Sequence, residues 1–232
     1  MSRYDGKNVV ITGGSSGLGL AAAQFLVDNG ARVLVTGRRQ DTLDDAGRQL
    51  GASGITVRSD ASSLPDIDAL VVNAGIGSFD PFDAVTEQTF DEVFAVNTKG
   101  PFFTVQRLAP LLSEGSGVVL TTSIANQTGW DALSVYSASK AALRSMARTL
   151  SRELLPRGIR VNAISPGSID TGKLEKEAPE KAAQLKAEFT ASSPMKRWGR
   201  PSEFAPAVAF LALDATYVAG TELVVDGGES QL

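Results

Sequence analysis

Apolar residues in this chain gather in short runs rich in β-branched side chains. N-V-V-I-T (8–12), R-V-L-V-T (32–36), I-T-V-R (55–58), A-L-V-V-N (69–73), G-V-V-L-T-T (117–122), I-R-V-N-A-I (159–164) and E-L-V-V (222–225) read as strands. They are continuously apolar rather than alternating, as a parallel sheet covered on both faces requires. Between them, 16–29, 40–50, 86–112, 135–155 and 201–213 space their apolar positions at helical period. That alternation of strand and helix predicts a single α/β domain over 1–232, a doubly wound parallel sheet with helices on both faces. Pro101 divides 86–112 into two predicted helices and falls in the first turn of the second, where its missing N–H costs nothing. The charged, Ala-rich segment 172–191 reads as a helical insertion, and 168–200 as a substrate loop or lid.

Composition narrows the chemistry. The 232 residues include no cysteine and no histidine. Disulfides, thiolate nucleophiles, a Ser-His-Asp triad and a typical zinc site are thereby excluded, and no metal site is expected. A net charge of −4 without a basic run argues against nucleic acid as partner. No segment has the apolar length of a signal core or a membrane span, so a soluble cytoplasmic protein is expected.

The first strand runs into T-G-G-S-S-G-L-G, Thr12 to Gly19, and a helix follows at once. Gly13, Gly17 and Gly19 allow a tight turn and a close backbone approach to a pyrophosphate. The N–H groups at the helix start, reaching Ser15, Ser16 and Leu18, then face the anion. The spacing is G-x-x-x-G-x-G, not the commoner G-x-G-x-x-G. After the second strand come Gly37-Arg38-Arg39, with no acid before Asp41. An acid there would bond the 2′-hydroxyl of NAD(H), whereas Arg38 and Arg39 suit the 2′-phosphate of NADP(H). NAD(H) stays open, because Ser16 occupies a position where a second basic residue would be expected. Finally, V-Y-S-A-S-K sets Tyr136 and Lys140 four residues apart, on one helix face.

Together with these, N-A-G (Asn73, Ala74, Gly75), Asn97, Ser123 thirteen residues before Tyr136, P-G-S-I-D-T (166–171) and V-V-D-G-G follow in order along the chain. In these motifs the chain resembles the classical short-chain dehydrogenase/reductase family over essentially its whole length. The resemblance implies a Rossmann-like sheet ordered 3-2-1-4-5-6-7 and an oxidoreductase passing a hydride between NADP(H) and a carbonyl or secondary alcohol. It gives Tyr136 the role of general acid/base, and Lys140 the tasks of lowering the phenol pKa and holding the nicotinamide ribose. It has Ser123 bond the substrate oxygen and Asn97 anchor a water beside Lys140. Asp60 matches an adenine contact, and Asn73, Ala74 and Gly75 line the adenosine ribose. Pro166, Gly167, Ile169 and Thr171 match positions at the carboxamide and pyrophosphate. Homodimers or homotetramers through 97–112 and 136–155 are implied as well. Two other readings stand beside it: a catalytically silent NAD(P)-sensing regulator of the same fold, and a sugar-nucleotide epimerase, for which the chain lacks a larger C-terminal domain. The substrate itself is not named; Trp130, Phe82 and Met195 are candidates for an apolar pocket or for core.

One departure stands out. Between the third and fourth strands the family has a crossover helix, whereas here only S-D-A-S-S-L-P-D-I (59–67) remains. The path across the sheet is roughly 22 Å, and nine extended residues span about 30 Å, so an extended link is predicted, with Leu64 and Ile67 covering the sheet.

Overall fold

The computed structural model describes residues 2–57, 66–177, 179–180 and 182–232. Seven strands form one parallel sheet: β1 (Asn8–Thr12), β2 (Arg32–Thr36), β3 (Gly54–Val57), β4 (Ile67–Val72), β5 (Leu112–Thr121), β6 (Arg160–Pro166) and β7 (Glu222–Val225). Their order is β3-β2-β1-β4-β5-β6-β7, as expected. The helices are α1 (Gly17–Asp28), α2 (Gln40–Leu50), α3 (Glu87–Phe94), α4 (Gly100–Leu108), α5 (Ser134–Leu154), α6 (Lys173–Glu177), α7 (Ala182–Ser192) and α8 (Pro201–Ala209).

The continuous apolar runs are explained by two cores, one on each face of the sheet. Val9 and Ile11 of β1, with Val33, Val35 and Val71, meet Ala22, Ala23 and Leu26 of α1 and Phe204 and Val208 of α8. Val10, with Leu34, Leu70 and Leu120, faces the other way, onto Val105 of α4 and Leu143 and Ala147 of α5. Neighbouring residues thus bury on opposite sides, which no half-exposed strand would tolerate.

β1 pairs with β2 on one side and β4 on the other, Thr12 lying opposite both Thr36 and Val72. The strand order reverses there, so the connections leaving β1 and β4 diverge and open a crevice at the carboxyl ends.

Three local expectations are refined. The Pro101 division is real, but α3 and α4 are joined by a π turn, Ala95–Lys99, rather than by a break. Within it the Gly100 N–H bonds the Ala95 carbonyl, and Pro101 has no N–H to give Asn97 four residues back. The helical insertion expected at 172–191 consists of two helices, α6 and α7. Ile67 is not part of a connecting link: it opens β4 and is buried. Residues 58–65, with Leu64 and Asp60, lie outside the described residues, and so does the extended link expected there. β3 forms the sheet edge, and Ile55 on it is 46% exposed.

Candidate active site

Gly13 and Gly17 hold the turn after β1 with φ of 65° and 56°, the left-handed region that favours glycine. A Cβ on Gly13 would stand 2.8 Å from the Ala74 Cα, and one on Gly19 2.3 Å from the Gly13 carbonyl oxygen. The turn is therefore pressed against the 73–75 segment. Asn73 completes the join: its side-chain amide donates to the Gly13 carbonyl at 3.1 Å, and its backbone N–H donates to the Thr12 hydroxyl at 3.2 Å. Helix α1 begins without a side-chain cap at Ser16 and without an acid in its first turn. Its leading N–H groups have no competing side-chain carboxylate, a fit for a phosphate anion. Ser15 lines the same turn beside Gly37, and Leu18 packs into the α1 core. Thr171 lies across from the turn, 3.6 Å from where a Gly17 Cβ would be. At the end of β2, Arg38 and Arg39 are exposed; Arg39 stands 4.0 Å from Asp41, and Arg38 pairs with no described residue.

The second constellation gathers at the ends of β4 and β5. Lys140 is 4% exposed and donates from Nζ to the Thr121 carbonyl at 2.9 Å. Asn97, fully buried in the π turn, is fixed at both ends of its amide. Its Oδ1 accepts from the Ile76 N–H at 2.9 Å, and its Nδ2 donates to the Ile76 carbonyl at 2.9 Å and the Ser139 hydroxyl at 3.1 Å. A Cβ on Gly75 would come within 3.2 Å of both Asn97 Oδ1 and Lys140 Nζ, so only glycine leaves this corner unstrained. Ser123 caps the short turn Ile124–Asn126, accepting from the Ala125 N–H at 3.2 Å, and its hydroxyl stands near enough to the Tyr136 phenol to favour the charged form. The structure thus brings Asn97, Ser123, Tyr136 and Lys140 together.

The electrostatics depart from the sequence expectation. Against the lowering expected from Lys140, burial pushes the Tyr136 phenol above its ordinary value, and the neighbouring Ser123 hydroxyl opposes this only in part. The Lys140 ammonium is 5.8 Å from the ring centroid. Burial, with a smaller repulsion from Lys173, also lowers Lys140 itself to about 8.

The remaining expected contacts are placed as follows. Pro166 ends β6, and Gly167 is packed so tightly that a Cβ would lie 2.5 Å from the Asp226 Cβ. Ile169 bridges Gly199, setting the start of the 168–200 segment beside its end. Asp60 falls outside the described residues.

Sequence reasoning missed the supports. Ser139 donates to the Tyr136 carbonyl at 2.7 Å while accepting from Asn97. Glu222 Oε1 accepts from Asn126 and Ser165, both at 2.5 Å, and its Oε2 accepts from Arg144 Nε at 2.8 Å. Burial pushes the Glu222 carboxyl up, but these hydrogen bonds and the Arg144 charge outweigh it and hold it below its usual range. The network ties the turn after Ser123 to β6, β7 and α5. An acid opening an otherwise apolar final strand was the one signal that could have pointed to it.

The lowered Lys140 pKa has a measurable consequence. Unfolded, the side chain keeps its proton up to about 10.5; folded, it loses it near 8. The unfolded state therefore binds more protons across that window, and stability must rise with pH there. Relative to Lys140→Met, the parent is expected to gain ~2–3 kcal/mol in denaturant unfolding between pH 7.5 and pH 10. An unchanged difference between the two proteins would contradict the buried, depressed ammonium.

Comparison with known proteins agrees with this geometry. Residues 13–230 match the family described as enoyl-(acyl carrier protein) reductase. Oxidoreductase asL5 of Sarocladium schorii is 38% identical, over 100% of this chain and 99% of its own. The cyclic-di-GMP-binding biofilm dispersal mediator protein of Escherichia coli is 32% identical, over 98% of each. Among solved structures, the angucycline C-6 ketoreductase LanV with bound NADP superposes with a TM-score of 0.91 at 28% identity, covering 99% of this chain and 97% of that one. The chain is an oxidoreductase belonging to the short-chain dehydrogenase/reductase family.

Proposed function

We propose that the protein is an NADP(H)-dependent reductase of ketones, with Tyr136 as general acid/base. The observation that carries this reading is the hydroxyl pair: Ser123 beside Tyr136, next to a buried ammonium, at the crevice where β1 and β4 diverge. The dinucleotide fits the uncapped start of α1 and the Gly13–Gly19 turn, with Thr171 opposite. Bound there, its nicotinamide ring supplies or takes up the hydride. Lys140 spends one of its three N–H donors on Thr121, leaving two for ribose hydroxyls. Asn73, Ala74 and Gly75 line the groove, and Asp60 is carried as an adenine contact. Pro166, Gly167 and Ile169 bound the carboxamide end.

Ser123 has an O–H to turn toward a carbonyl oxygen, where it stabilises developing negative charge. Tyr136 delivers the proton. Its raised pKa keeps the phenol protonated at neutral pH, the form that carbonyl reduction consumes. Asn97, held rigidly by Ile76 and Ser139, orders a water on the Lys140 side. Segment 168–200 acts as a lid. LanV is a ketoreductase, which supports the same direction.

A regulator that binds nucleotide without turnover is the second reading, suggested by the printed name of the Escherichia coli relative. It would need the glycine turn but not Tyr136. Steady-state assay of a ketone panel with NADPH and NADH separates the two. Tyr136→Phe is expected to keep NADPH affinity and lose at least ~100-fold in rate. Retention of most activity would remove Tyr136 from the mechanism.

Arg38 supports NADP(H) over NAD(H), being exposed at the end of β2 with no acid among the described residues paired to it. Arg38→Asp is expected to weaken NADPH binding by roughly 1.5–3 kcal/mol and to favour NADH. Tighter binding of NADH than NADPH by the parent would reverse the cofactor assignment.

A homo-oligomer formed through α4 and α5 completes the proposal. Phe102 and Phe103 on α4 are over one-third exposed, and Ala138, Ala141 and Ser145 give α5 a small-residue outer face. Light scattering at micromolar concentration is expected to return a dimer or tetramer; a monomer mass would refute it.

A further inference from the structure

Three aromatic rings form an edge-to-face chain that begins on the connection between Ser123 and Tyr136. Trp130 comes from the connection between Ser123 and α5, Phe189 from α7, and Trp198 from the stretch between α7 and α8. The Trp130 and Phe189 centroids are 6.1 Å apart at 69°, those of Phe189 and Trp198 5.7 Å apart at 79°. Trp198 is pinned from several sides. Its indole N–H donates to the Lys186 carbonyl at 3.2 Å, and the Lys186 ammonium lies 5.9 Å from its ring centroid. Gly199, next in sequence, bridges Ile169. Asp170 and Glu175, acceptors that a polyol could have used, are both engaged by Lys186.

The backbone supplies an independent observation. Among the described residues two that are not glycine adopt positive φ: Ala132 at 60° and Lys196 at 55°. Each lies two residues from a tryptophan of the chain of rings. Neither residue type favours the left-handed region, and such conformations persist where the surroundings over-determine them, commonly at ligand sites. Trp130 nevertheless keeps 36% of its surface exposed. An indole held by a strained turn and left partly uncovered is a stacking surface in waiting.

We infer that the cleft over Tyr136 takes a ketone with a flat, apolar ring body, and that Trp130 and Phe189 set this preference by packing against it. The inference rests on the reading of Ser123 and Tyr136 as the pair that receives the carbonyl oxygen. Those two residues flank the connection that carries Trp130, so the inference seats the substrate's ring body against the indole while its carbonyl oxygen meets the two hydroxyls. Phe79, 72% exposed in the segment after β4, adds a further apolar group near Gly77.

The test uses a convenient property of the chain: it has two tryptophans, and both belong to this wall. Intrinsic fluorescence therefore reports on the wall without turnover. Saturable quenching is expected with 2-tetralone and none with dihydroxyacetone. The ratio of kcat/KM for 2-tetralone to that for 2,3-butanedione is expected to fall about tenfold in Trp130→Ala, as loss of a stacked ring and its apolar contact implies. Phe189→Leu, which keeps an apolar group, should move the ratio the same way by less and guards against a misfolded first variant. An unchanged ratio in both variants, or no quenching of the parent, would overturn the inference. Quenching by 2-tetralone with no NADPH consumed on any ketone would leave the wall standing and overturn the reductase reading instead.

Discussion

Lys140 carries its ammonium into the interior and ends on a single backbone carbonyl, that of Thr121. Burying a cation without a carboxylate beside it is costly, and proteins normally respond by moving its pKa or by surrounding it with fixed dipoles. Both responses are visible. The pKa falls to about 8, and Gly75 leaves the space that any side chain would have taken from the ammonium. Asn97 borders the same corner, its amide locked to Ile76 and Ser139. The 73–75 segment, the π turn and the end of β5 are each shaped by this one charge.

The support reaches farther than the reacting groups. Ser123 sits just past β5, on a turn that would be free to move if only its own backbone bonds held it. Asn126 in that turn reaches Glu222 on β7, which also takes Ser165 of β6 and Arg144 of α5. Four elements distant in sequence thereby share one carboxylate. A half-buried carboxylate held by three hydrogen bonds in this way specifies position more than it adds stability.

Much of this was legible in the sequence, for physical reasons. β-Branched runs buried on both faces have a distinctive composition, so all seven strands could be read, and glycine at 13 and 19 marks close backbone contact that a side chain would disturb. Tyr136 and Lys140 share a helix face by spacing alone. What could not be read depends on tertiary contacts. The Tyr136 pKa follows burial, which the spacing of a lysine does not reveal. The Glu222 network joins residues up to 96 positions apart. The two helices within 172–191 differ from one only in where a short turn falls, and helical period survives both.

The π turn at Ala95–Lys99 escaped for a related reason, and it has a consequence for how this helix pair can vary. A π turn amounts to one residue inserted into an α-helix, and each helical residue turns the chain by about 100°. Deleting a residue there would regularise the hydrogen bonding and improve the isolated helix. It would also rotate α4 relative to α3, swing Val105 and Leu108 off the sheet, and carry Asn97 away from Ile76. The segment is locally imperfect because its two halves answer to different neighbours. Its length, more than its composition, is what a change in the sequence must preserve.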